Sequence, residues 1–111
     1  MLEGLWSVEL GVTETDIQGA GVVVFENQRV LGGSGDYSYT GKYEVKRGVV
    51  QGEVEVNFHG RQHSPIFRPL TKFRMRFWGK VQRRIMMLAN YMIEDPKKEI
   101  FVRLTKRSEL S

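Results

Sequence analysis

His59 and His63 are the side chains that exchange protons closest to neutral pH, and a spacing of four would put both on one face of a helix, where imidazole pairs hold zinc. They flank Gly60 and precede Pro65 in a stretch without helical periodicity, and no third ligand type lies near, so no metal site is expected. Nucleophilic catalysis has no better footing. There is no cysteine and no GxSxG elbow, and Ser34 and Ser64 fall in loop-like sequence without an ordered histidine and acid beside them. Asp16, Asp36 and Asp95 read as turn residues rather than paired carboxylates. The glycines at 32, 33 and 35 depart from a phosphate-binding loop: five residues separate Gly35 from Gly41, one too many, Lys42 is followed by Tyr43, and no helix pattern begins there. The expectation is a binding protein with no enzyme activity and no cofactor.

The residues left to carry function are aromatic and apolar, and strands must position them. Residues 32–58 set the pattern. Folded at Arg47 and Gly48 with Lys46 opposite Val49, this segment sets Tyr43 against Gly52, Tyr39 against Val56 and Tyr37 against Phe58. One face then carries the tyrosines, Gly41, Gly52, Val54 and Val56; the other carries Thr40, Lys42, Glu44, Gln51, Glu53 and Glu55. A slip of one residue would mix the two sets, so the alternation fixes the register.

Around this hairpin, residues 4–10 read as a strand with Trp6, Val8 and Leu10 inward, and 19–25 with 29–32 as a hairpin turning at Asn27 and Gln28. Residues 70–78, 83–92 and 99–106 give three more strands, the last with Ile100, Val102 and Leu104 inward. Residues 59–69, with prolines at 65 and 69, read as a capping loop from which Ile66 and Phe67 plug the core. The run from Ile85 to Ala89 is apolar throughout; Met, Leu and Ala also favour helix, but the short alternating neighbours favour a strand buried on both faces. The result is one all-β domain over residues 1–111, an up-and-down antiparallel barrel of about eight strands. Such a barrel is filled by side chains or holds one small ligand.

Tyr37, Tyr39 and Tyr43, set among Gly41 and Gly52, predict a small interior pocket bordered by all three. Outside, Trp78 stands near Arg74, Arg76 and Lys80, and Phe101 beside Arg103. With Met86 and Leu88 expected outward on the all-apolar strand, Trp78, Met86, Leu88 and Phe101 form a candidate homodimer interface, because a monomer rarely leaves such a patch in water.

The net charge of +4 conceals an asymmetry: residues 1–60 hold four basic and nine acidic side chains, a net of −5, and residues 61–111 hold thirteen and four, a net of +9. Glu53 and Glu55 are expected to pair with Lys72, Arg74 and Arg76 across strands, leaving only weak, salt-dependent affinity for nucleic acid and no specific nucleic-acid partner. The opening residues lack a basic start and a long apolar run, which predicts no signal peptide and no membrane association. Together with the absence of cysteine, this points to the cytoplasm.

The Gly4-Leu5-Trp6 opening followed by an antiparallel meander resembles the lipocalin and calycin barrels. That resemblance implies a tryptophan packed under an arginine of the last strand, here Arg103 or Arg107, and sets Trp6 beside Tyr37, Tyr39 and Tyr43 as candidate ligand-pocket residues. A longer match runs through GLWSVEL, GAGVVVFENQRVLGG and YSYTGKY, with Gly32, Gly33, Tyr39 and Gly41 in order and His59 ending the next strand. It is similar to GrlR, a bacterial family of type III secretion negative regulators. This implies a lipocalin-like barrel that dimerises and acts by binding a transcriptional activator. Where the family's prototype carries an acidic run at the following turn, this chain has Val45, Lys46, Arg47 and Gly48, so no activator-binding residue is carried over. The alternative is a calycin-type binder of a small lipophilic ligand inside the barrel.

Overall fold

Alternation of apolar and polar side chains becomes strand after strand in a computed structural model, which describes residues 2–61, 67, 70–98 and 100–110. The described residues form β1 (Gly4–Thr13), β2 (Asp16–Glu26), β3 (Arg29–Gly33), β4 (Tyr37–Lys46), β5 (Val49–Phe58), β6 (Lys72–Lys80), β7 (Ile85–Met92) and β8 (Phe101–Ser108). Each strand pairs antiparallel with the next, and β8 pairs with β1 to close the barrel. The eight-stranded up-and-down barrel expected from the sequence is therefore the fold. No helix among the described residues is long and apolar enough to cross a membrane.

The β4–β5 hairpin has the register its alternation dictates, with Lys46 opposite Val49, Tyr43 opposite Gly52 and Tyr37 opposite Phe58. Its two-residue turn places Arg47 (φ 53°) and Gly48 (φ 79°) in the left-handed region, and the β2–β3 turn does the same with Asn27 (φ 52°) and Gln28 (φ 65°). Turns of this kind match the right-handed twist of the strands they join. At Gly52 the sheet coils so tightly that a Cβ would run into the Lys42 carbonyl and the Phe77 ring.

The inward side chains fill the barrel from both ends. Trp6, Phe25, Tyr43 and Phe77 form one aromatic cluster, with Phe25 5.1 Å from Tyr43 and 6.4 Å from Trp6 in edge-to-face contacts. Tyr37, Phe58, Phe67 and Phe73 form the other, with Phe67 4.8 Å from Phe73 and 5.2 Å from Tyr37. Phe67 plugs the core from the β5–β6 connection, as expected; Ile66 lies outside the described residues.

One phase differs from the sequence reading. β7 is not buried on both faces, and Met86 and Leu88 do not face outward: both are buried in the interior, while Ile85 and Met87 are 52% and 48% exposed. An all-apolar run has no phase of its own; pairing sets it, with Met86 opposite Leu104 and outward Trp78 opposite Ala89.

Candidate binding surfaces

Between the two aromatic clusters the barrel keeps a gap of about 70 Å³, walled by apolar side chains such as Val8, Met75 and Val102. Of the four candidate pocket residues, only Tyr39 borders this gap, while Tyr37 and Tyr39 together border a separate recess of about 190 Å³ with Leu10, Ser34 and Phe67. Trp6 and Tyr43 are built into one cluster and Tyr37 into the other, so inward aromatics that share a strand face end up at opposite ends of the barrel. Burial pushes the Tyr39 hydroxyl's pKa above its ordinary value, against an opposing hydrogen bond with Ser34. Burial likewise raises that of Tyr43, with the Gln28 backbone acting in the other direction.

Asn90 adds an amide to this wall. Its Nδ2 donates to the Leu88 carbonyl at 3.1 Å and the Ile100 carbonyl at 3.0 Å, spanning β7 and β8 beyond their last paired residues, Leu88 and Val102. Its Oδ1 is buried without a hydrogen-bond partner among the described residues.

The cation over Trp6 is Lys106, not Arg103 or Arg107. Lys106 Nζ stands 5.4 Å from the Trp6 ring centroid on a side chain only 8% exposed, and it donates to Glu109 Oε1 at 2.9 Å. The register decides this: Trp6 faces Lys106 across the closing seam, and Val102, Leu104 and Lys106 share one side of β8. Arg103 and Arg107 fall on the outer side, where Arg103 Nε donates to Glu9 Oε1 at 2.7 Å and Arg107 Nε to Ser7 Oγ at 2.9 Å. The hydrogen bond from Arg103 holds the Glu9 carboxyl below its ordinary pKa. At the edge of the Trp6 ring, Nε1 donates to the buried Leu2 carbonyl at 2.9 Å.

On the outer surface the expected stripe of ion pairs forms in part. Arg76 meets Glu53 at 3.1 Å and Lys72 meets Glu55 at 3.7 Å, while Arg74 turns instead to Glu94 at 3.4 Å. Being exposed, each contributes at most about 1 kcal/mol. Next to this stripe, Trp78 is 44% exposed with its ring 6.0 Å from Tyr91, and the exposed Ile85 and Met87 follow on β7. Phe101 lies half-buried on β8 with the Arg103 guanidinium 5.7 Å from its ring centre. Trp78 and Phe101 are thus outward as expected, and the residues beside them are Ile85 and Met87 in place of Met86 and Leu88. A second apolar strip, missed in the sequence, joins exposed Val22 and Leu31 through half-buried Val24.

His59 is exposed at the end of β5 and donates its backbone N–H to the Asp36 carbonyl at 2.9 Å; His63, its expected neighbour, lies outside the described residues. Among the described residues no three His, Asp or Glu side chains converge on one point. Asp36 does turn work, its Oδ1 accepting from the Arg61 N–H at 3.2 Å. No protein-family model matches the chain, and a search of curated proteins finds no match.

Proposed function

We propose that this chain is a non-enzymatic barrel that works by protein contact, as the GrlR regulators it resembles do: a cytoplasmic homodimer that restrains a transcriptional activator of type III secretion. The observation supporting contact over carriage is a contrast. The gap between the aromatic clusters holds about 70 Å³ and the recess at Tyr37 and Tyr39 about 190 Å³, whereas Trp78, Ile85 and Met87 turn large apolar surfaces to water on adjoining strands. Sites for drug-sized ligands run to roughly 300 Å³ or more, so a lipophilic carrier role has no comparable support. Two copies related by a twofold axis bring Ile85, Met87 and Phe101 against their equivalents, each contributing roughly 1.5 to 3 kcal/mol if fully buried. The class of partner, a transcriptional activator, comes from the resemblance alone.

Sedimentation of the wild type and of Met87→Glu tests the reading. The wild type is expected to be dimeric at tens of micromolar and the variant monomeric with an unchanged circular dichroism spectrum. A monomeric wild type overturns the dimer. Saturable binding of an apolar fluorescent probe inside the wild-type barrel would restore the carrier.

A further inference from the structure

Across the outer face of β3 to β7 runs a recess of about 780 Å³. One rung of the sheet lies along it from end to end: Arg29 opposite Lys42, Lys42 opposite Glu53, Glu53 opposite Arg76, and Arg76 opposite Tyr91. The next rung adds Glu44, Gln51 and Trp78. Five strands at about 4.8 Å spacing make it roughly 19 Å long, the span of about six extended residues.

Its charges are not evenly satisfied. Glu53 is taken by Arg76 at 3.1 Å, and Glu44 by Gln51 Nε2 at 2.9 Å and Lys46 at 3.6 Å. Arg29 and Lys42, both exposed at the β3–β4 end, have no ion-pair partner among the described residues. The opposite end is the corner made by exposed Trp78 and half-buried Tyr91. The recess is therefore cationic at one end, neutralised in the middle and aromatic at the other.

We propose that this groove holds an extended segment of the protein partner, acidic at one end and carrying a large apolar side chain at the other. Resting on the reading that the chain works by protein contact, the proposal deepens it by naming the chemistry of what is bound. A peptide fits better than single-stranded nucleic acid. Arg29 and Lys42 offer charge for one short acidic stretch, whereas a strand following the groove would carry its phosphates over Glu44 and Glu53. Because the barrel is closed, the segment docks by side chains rather than by joining the sheet as a further strand.

The test uses two fluorescein-labelled synthetic peptides, Asp-Asp-Glu-Gly-Ser-Leu-Trp and its reverse, with an oligothymidine of similar length as the nucleic-acid arm. Saturable binding of at least one peptide to the full chain is expected. In the double variant Arg29→Glu, Lys42→Glu it should weaken by about tenfold or more, while replacing the peptide's Trp by Ser weakens binding to the wild type. Met87→Glu, outside the groove, should leave peptide affinity unchanged even if it breaks the dimer. No saturable binding by either peptide, or equal binding by the double variant with its dichroism intact, overturns the groove. Tighter binding of oligothymidine than of peptide overturns it in favour of nucleic acid. A dimeric wild type that binds no peptide removes the groove alone; a monomeric wild type that binds peptide removes the dimer and supports the groove.

Discussion

At the end of the barrel near the Asn27–Gln28 turn, Trp6, Phe25, Tyr43 and Phe77 seal the interior from strand positions, and the Leu2 carbonyl at its edge and Lys106 over its face hold the indole. At the other end Phe67 enters from the β5–β6 connection and lodges between Tyr37 and Phe73. The materials match, but the anchorage does not. Trp6, Phe25 and Phe77 each stand in two ladders and Tyr43 in one, its N–H on the Gln28 carbonyl, whereas Phe67 stands in none; among the described residues its carbonyl accepts from the Leu70 N–H at 2.9 Å, and Asp36 grips the start of the connection. Equal burial therefore does not mean equal resistance to opening, because local opening is set by what the flanking backbone must break.

Trp6→Ala gives the largest expected effect, a loss of roughly 3 to 5 kcal/mol in global stability measured by urea unfolding. A loss under about 1 kcal/mol would mean that the strand-anchored end is not the firmer one. Phe67→Ala should cost about 3 kcal/mol, the low end of the same range, because Phe67 stands outside the strand ladders. Hydrogen exchange should then quicken near Tyr37 and Phe73 and stay slow around Trp6 and Phe25; uniform quickening would erase the distinction between the ends.

Tyr39, between the two clusters, tests whether the middle stays dry. Burial raises its folded-state pKa above the ordinary 10.0, so its contribution is fully present below that value and is lost as pH rises through the higher folded one. The wild type should lose stability in alkali, and Tyr39→Phe should flatten that loss; identical profiles would place the hydroxyl in water. The smallest effect is at the seam. Glu9 is held below the ordinary 4.5, so its contribution is present above that value and fades as pH falls through the lower folded one. Glu9→Gln should remove a slight, salt-sensitive part of the acid transition in unfolding curves and leave the two ends equally closed.

The β4–β5 register was legible because polar and apolar residues alternate without a break and Arg47–Gly48 suits the turn. β7 was not, since Ile85 to Ala89 offers no contrast and Asn90 argues for the opposite phase. Asn90 tolerates its half-buried place because two carbonyls at the end of the β7–β8 ladder accept from its amide, a circumstance no single strand reveals. The cation over Trp6 eluded the sequence for a similar reason. A register shift at Leu5 and Trp6 sets which β8 residues face in, and three basic residues lie close together there. The groove combines rungs from five strands, so it exists only once each register is known.

Among the described residues, every strand pairing but one joins sequence neighbours; the exception lays Trp6 beside Lys106. Hairpins of the first kind can form within microseconds of one another, but the seam must bring together chain about a hundred residues apart, at a closure cost that grows with the logarithm of that length. The barrel should therefore complete its circumference last. Substitutions along the seam, at Ser7 or Arg107, are expected to speed unfolding while leaving the folding rate nearly unchanged, and those in the β4–β5 hairpin to slow folding. The Trp6–Lys106 contact then acts as a clasp, deciding how long the finished ring stays shut rather than how quickly it is made.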